Sequence, residues 1–514
     1  MTAPTPDTGT DLGTDADMDA GTGTGTDTQD PPETASLGRK VGSAARWSLV
    51  NTVVMRLGNF AMGIVLARFF LGPEAWGVYG IAQTVLLVLF SASELGVTLA
   101  IVRWEGDPRR FAPTVLTLSV ASSCVLYAVL FAFAPAVADS LGAPEASGVL
   151  RVMCLVLILG GLAQVPLGFL TRAFAQGRRM AVDAVNFVLS TAVTLLLAGQ
   201  GWGAMSFAWG AVAGSSGALV ACCLAAPGNL RFGWDREQAR ALLRFGLPLA
   251  GASLLALAVA NVPPMVVGST LDPVALGFYV LAFNISGWPV RIVSEAARRV
   301  SFAGFSRLAE SPKALAGGFG RALGVLVTAT VPLCVLLGGL AGPIVELLYG
   351  ERWGPAARAL PWLMALGLIR IGCELAYDCL VAMGRGRSLI AIQGLWLLLL
   401  VPVLVAGSRT GGIAGVAQAQ VLVAAVAVVP LHLIALRRGG VRPGIVVRAC
   451  AWPFLGGAVM AGAVLGLERL LGDGVLALLA TAAGATLCYA VCVLPSLGFL
   501  RGTAPAAAAT TTKD

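Results

Sequence analysis

Three groups of ionisable and amide side chains stand inside stretches that are otherwise apolar, and their spacing points to holding charge rather than to making bonds. Helical periodicity places Asn51 and Asn59 on one broad face with Arg56. A guanidinium is a planar, forked donor, so Arg56 on such a face suits a pyrophosphate; the structural alternative is a pair with a carboxylate such as Glu94. Asn284, Trp288, Arg291 and Glu295 recur at i, i+4, i+7 and i+11 beside Pro289, a polar stripe expected to line a cavity. Within it Arg291 and Glu295 stand one turn apart, where each lowers the other's cost. Arg370, Glu374 and Asp378 are likewise spaced by single turns. Two negative groups and one positive group make either a proton or cation site or a salt-bridge ladder between helices. No catalytic set emerges. The single histidine, His432, and ten cysteines without metal-type spacing leave no metal site, the cysteines read as small packing residues, and no cofactor is expected.

The stretches that carry these groups have the composition of a chain dissolved in lipid. Hydrophobic residues make up 57% of the 514 positions, charged residues 12%, and the mean hydropathy is +0.83. Soluble chains carry about 25% charged residues. An ionisable group inside such a stretch is costly enough to be a functional candidate by default. The net charge of +8 does not point to nucleic acid, because the arginines are scattered through short loops.

A crossing helix needs roughly 20 apolar residues, and that ruler divides the chain from Ala44 onward into about fourteen spans. Basic loops alternate with poor ones without a break. Arg103, Arg109 and Arg110; Arg172, Arg178 and Arg179; Arg298 and Arg299; and Arg437 and Arg438 all fall on one side, which places both termini in the cytoplasm. Residues 1–43, rich in Thr, Asp and Gly, read as a disordered cytoplasmic tail without signal-peptide character, and 501–514 read as a second tail. The longest inward connection, 228–245, has Asp235 as an N-cap and Leu242, Leu243 and Phe245 set against arginines, the pattern of a short amphipathic helix on the membrane surface. Prolines inside spans, among them Pro263, Pro264 and Pro332, predict bends.

An internal repeat organises the spans. Leu71-Gly72-Pro73-Glu74-Ala75-Trp76-Gly77-Val78-Tyr79 and Leu271-Asp272-Pro273-Val274-Ala275-Leu276-Gly277-Phe278-Tyr279 share L-x-P-x-A-x-G-x-Y. Ala134-Pro135 and Gly342-Pro343 match in turn, as do Ala175-Gln176-Gly177-Arg178 and Ala382-Met383-Gly384-Arg385. An offset of six spans keeps both halves in one orientation, so a parallel repeat around a central cavity is expected. The fold class is therefore all-α and polytopic: bundles at 44–227 and 246–437 joined by the 228–245 linker, then two additional helices in 438–500.

Val65-Leu66-Ala67-Arg68-Phe69-Phe70 leading into the first motif, Glu94-Leu95-Gly96 with Val102-Arg103, and Phe302-Ala303-Gly304-Phe305-Ser306-Arg307 carry a likeness over roughly residues 40 to 440. Here the chain resembles the polysaccharide transporter family of Wzx-type oligosaccharide-lipid flippases, in the multidrug/oligosaccharidyl-lipid/polysaccharide exporter superfamily. That family usually has a proline where this chain has Ala303 or Gly304. The resemblance implies alternating access and translocation of an undecaprenyl-pyrophosphate-linked oligosaccharide across a bacterial cytoplasmic membrane for cell-surface polysaccharide. It also implies a polysaccharide polymerase and glycosyltransferases as partners, and coupling to a proton or sodium gradient. Two extra C-terminal helices occur in lipid II flippases too, which keeps that substrate open. Export of small cationic drugs would favour carboxylates over arginines such as Arg56 and Arg291. A membrane polymerase or glycosyltransferase would need a sizeable loop, and every outward loop is short; a structural scaffold would have no use for charged stripes in lipid.

Overall fold

The computed structural model describes residues 54–94, 108–173, 175–227, 230–288, 311–472 and 474–501. Both expected tails lie outside them, as do Asn51, Pro289, Arg291, Glu295 and the 302–307 motif. Every regular element among the described residues is helical. Helix α1 (54–65) runs into a π turn at Leu66–Phe70, followed by α2 (Pro73–Glu94), α3 (Pro108–Ser140), α4 (Ala146–Arg172), α5 (Gln176–Gly199) and α6 (Met205–Ala225). The second half holds α7 (Arg236–Thr270), α8 (Pro273–Trp288), α9 (Pro312–Gly339), α10 (Ala341–Tyr349), a 3-10 segment Glu351–Arg358, α11 (Leu360–Ala382) and α12 (Gly386–Val423). A π turn at Ala424–Val428 leads into α13 (Val429–Arg438), and α14 (Pro443–Leu471) and α15 (Val475–Arg501) close the chain.

Nine helices among the described residues are long and apolar enough to cross a membrane, ten when the segment Glu351–Arg358 and α11, bent by 47°, count as one span. One of the nine, Ser388–Arg438, is 51 residues long. A straight helix of that length would measure about 75 Å, more than twice the hydrocarbon core. Gly412, at φ 56° and ψ −139°, breaks it. The backbones of Gly407 and Gly415 then touch, each leaving no room for a Cβ on the other, so the chain folds back on itself. Length and composition alone merge these two limbs into one helix.

The 228–245 connection departs from its expectation. Asp235 does cap a helix, accepting from Glu237 N at 2.9 Å and Gln238 N at 3.3 Å, but that helix is α7, which continues unbroken to Thr270. No separate surface helix forms. Its start is instead fastened to the first half: Thr117 Oγ1 donates to Gly233 O at 2.8 Å, Asp235 N donates to Thr114 Oγ1 at 3.1 Å, and Leu242 is buried with Phe111, Leu116 and Val165. Burying Leu242 against α3 and α4 removes more apolar surface than laying it on a headgroup layer, which explains the outcome.

The two L-x-P-x-A-x-G-x-Y stretches lie against each other. A Cβ on Gly77 would overlap the Pro273 carbonyl, and one on Gly277 would overlap the Pro73 carbonyl, so the starts of α2 and α8 cross at backbone contact. Half of the apolar window of α2 is buried, against 11% for α5, which marks α2 as a seam helix and α5 as a peripheral one. α2 also packs along α7, while α14 and α15 pack on each other and reach the bundle through α9.

Candidate functional site

α11 starts with Pro361 in its first turn, where the missing N–H costs nothing, and buries Leu363, Leu366 and Ile371. The same side of the helix carries a polar stripe, since Leu366 stands one turn before Arg370 and lines the same cavity. Arg370 Nη2 stands 3.8 Å from Glu374 Oε1 with both side chains about a third exposed, at 38% and 35%, whereas Asp378 one turn further is only 3% exposed. All three line a cavity of about 360 Å³ closed by Val259 and Ala260 of α7, Phe283 of α8, and α12 and α13. The structure places a pair at the rim and a buried carboxyl at the wall, and the pair lies within α11 rather than between helices.

The cavity has acceptors that the charged residues did not foretell. Pro263 and Pro264 have no N–H, so the carbonyls of Val259 and Ala260 lose their helical partners, and these two residues line the cavity. Gln393 Oε1 is buried and accepts no hydrogen bond among the described residues. Gln420 Nε2 donates to Tyr279 Oη at 2.7 Å and to Val416 O at 3.3 Å. His432 Nδ1 lies 2.9 Å from Val428 O. A carbonyl only accepts, so Nδ1 carries the proton and Nε2 is the acceptor of the neutral ring. One guanidinium, two carboxyls, two amides and an imidazole in one recess can exchange a proton or hold a small cation. Neutral amides inside apolar spans and the Pro-Pro pair were the available signals for Gln393, Gln420, Val259 and Ala260; His432 was visible but lies too far along the chain to be paired with α11.

The α1 and α8 groups sit elsewhere. Phe60 and Trp288 meet with ring centroids 3.9 Å apart, bringing α1 and α8 together one turn from Arg56 and one turn from Asn284. Trp288 is therefore packed on an aromatic ring. Arg56 is half-buried; Asn284 is exposed, and Asn59 is exposed and donates to Met55 O of its own helix at 2.9 Å. Asn51, Arg291 and Glu295, and the side chain of Glu94, lie outside the described residues. Arg56, Asn59 and Asn284 do not contribute to the α11 cavity, so the candidates divide into two places.

A family profile described as polysaccharide biosynthesis protein matches residues 65–358. The chain is 26% identical to the succinoglycan biosynthesis transport protein ExoT of Rhizobium meliloti (strain 1021) over 346 residues, 66% of this chain and 69% of that one. It is 23% identical to the lipopolysaccharide biosynthesis protein WzxC of Escherichia coli (strain K12), over 76% of this chain and 79% of that one. With the teichuronic acid biosynthesis protein TuaB of Bacillus subtilis (strain 168) it shares 20% over 88% and 95%. Among solved structures, a lipid II flippase MurJ in an inward closed conformation superposes with a TM-score of 0.75 at 14% identity, covering 89% of this chain and all of that one. An inward-facing multidrug resistance MATE family transporter gives 0.62 at 18% identity, over 75% and 94%. These two likenesses establish the polytopic all-α fold.

Proposed function

The chain belongs to the family described as polysaccharide biosynthesis protein, and from that premise we propose that it is a flippase which carries a lipid-linked oligosaccharide across the bacterial cytoplasmic membrane. It is a transporter rather than an enzyme. The observation that carries this reading is the profile match itself, which runs through both halves and across their seam from 65 to 358. The carried lipid is an undecaprenyl pyrophosphate and the oligosaccharide a repeat unit for cell-surface polysaccharide, passed to a polymerase beyond the membrane and built by glycosyltransferases before it. Two parallel six-helix bundles, with about fourteen spans in all, alternate access to a central cavity, and both termini are cytoplasmic.

In this reading Arg56, with Asn51 and Asn59, meets the pyrophosphate from α1, and Asn284, Arg291 and Glu295 line the facing wall from α8. The Phe60–Trp288 contact supports the pairing of these helices. Arg370, Glu374 and Asp378 couple transport to a proton or sodium gradient, helped by the carbonyls of Val259 and Ala260. A lipid II substrate is the second reading, favoured by the coverage of the MurJ superposition and by α14 and α15.

The test is flipping in proteoliposomes, with an undecaprenyl-pyrophosphate-linked oligosaccharide and lipid II offered separately. Transport of the first and not the second is expected, and Arg56→Ala should abolish it with protein level unchanged. Transport of lipid II alone would overturn the substrate assignment.

A further inference from the structure

The seam between the halves is closed by two crossings built on one plan. In the register that aligns Pro135 with Pro343, Gly142 stands where Gly350 stands, and both have positive φ, at 73° and 92°. Gly142 packs its Cα on the Gly268 carbonyl near the end of α7, a contact of backbone on backbone. The residues after Gly350 instead reach the end of α1 with side chains. Trp353 Nε1 donates to Ala67 O at 2.9 Å, Arg352 donates to the same oxygen, and Arg68 donates back to Leu347 O.

Ala67 lies in the π turn Leu66–Phe70 that ends this helical run, one of its last four residues, whose carbonyls have no partner further along the helix. Trp353 is fully buried, with Trp76 at 5.7 Å, Phe278 at 6.0 Å and Tyr349 at 6.5 Å between ring centroids. The cluster carries a built-in cost. Trp76 Nε1 is buried in it and donates to no acceptor among the described residues. A contact that satisfies one helix end while stranding a neighbouring donor has reason to exist in two states.

We propose that Trp353 and Arg352, with the reciprocal Arg68, form a latch that holds the extracytoplasmic end of the seam shut, and that outward opening breaks the Trp353–Ala67 bond while the Gly142–Gly268 crossing serves as the pivot. The word extracytoplasmic rests on the orientation proposed above. Three side-chain donors on two carbonyls can let go without moving a backbone, whereas the glycine crossing can only slide or rotate. The clasp therefore rests on side chains from both halves, Arg68 from the first and Arg352 and Trp353 from the second, and the pivot on backbone alone.

The test places a cysteine on α2, about two turns along the helix from the Trp76 that packs on Trp353. Thr84, 6% exposed on α2, lines a small gap shared with Leu141, Gly268 and Leu276. Thr84→Cys, with and without Trp353→Phe, is treated in sealed, right-side-out vesicles with a membrane-impermeant maleimide, the parent protein reporting its own cysteines. Phe keeps one aromatic ring but removes the donor together with the fused ring, so labelling at position 84 should rise at least about fivefold, the shift expected for one net hydrogen bond, and thermal unfolding, which the smaller ring lowers, is measured beside it so that labelling is read at a temperature where the protein is folded. Unchanged labelling with the protein intact would overturn the latch. A rise seen only in inverted vesicles would keep the latch and overturn the orientation. Where the Phe variant does not accumulate, Arg68→Gln is read in the same assay, with the same two outcomes.

Discussion

α4 and α11 occupy matching places in the two halves and have opposite chemistry. In the register that sets Ala175 on Ala382 and Arg178 on Arg385, the residues facing Arg370, Glu374 and Asp378 are Ala163, Leu167 and Thr171. The first half is uncharged there. Its nearby polar core is a neutral cluster in which Ser119 donates to Gln164 Oε1 at 3.0 Å and Ser122 donates to Ser119 O at 2.9 Å. The second half has an ion pair, a buried carboxyl and a cavity at the corresponding helix. The seam teaches the same lesson: the glycines are shared, while Arg68, Arg352 and Trp353 have no counterpart at the matching positions of the other half. The shared positions are those where backbones touch, and the unshared ones are those where charge or a donor is placed.

The comparison is broken most severely at the shared glycines. Gly77→Val and Gly277→Val each drive a side chain into a backbone carbonyl that has no rotamer to offer. Each should cost at least about 1–3 kcal/mol and reduce export to background, with equal losses in thermal unfolding for the two variants. Unequal losses would mean that the crossing is not the symmetric joint described above.

A second experiment sharpens the chemical asymmetry. Asp378→Asn should lower the response of transport to an imposed proton or sodium gradient by about 5–150-fold, the range of a coupling energy of about 1–3 kcal/mol. Thr171→Val at the matching first-half position should leave that response unchanged. Transport by Asp378→Asn that still follows the gradient would remove α11 from coupling. The smallest effect is expected at the positive-φ glycines. Gly350→Ala has open space around it and should lose only the cost of holding an alanine at φ 92° and ψ 164°, a region essentially reserved for glycine, about 1–3 kcal/mol, whereas Gly142→Ala also meets Gly268 O and should melt lower.

Much of this was legible beforehand. Apolar runs and alternating loop arginines announced a polytopic helical protein, and the L-x-P-x-A-x-G-x-Y pair marked two stretches as alike, without showing that they touch. Of the α11 trio, spacing alone put the three groups on one face. The rest of that site was hidden, because Val259, Ala260, Gln393, Gln420 and His432 come from helices far apart in the chain and two of them contribute only backbone oxygens. The connection at 228–245 misled for a related reason: amphipathicity shows that Leu242 must be covered, not what covers it.

By itself, then, the amino-acid sequence determined that this chain dissolves in lipid and that its apolar runs are helical. Hydropathy and helical period are properties of single residues and their near neighbours, so they need no fold to act. Tertiary structure alone decided that Leu242 sits on the first half, that Val259 and Ala260 line Asp378's cavity, that Gly77 and Gly277 must stay bare, and that Trp353 caps the end of α1. Each of these depends on a partner far away in the chain, and only packing selects that partner.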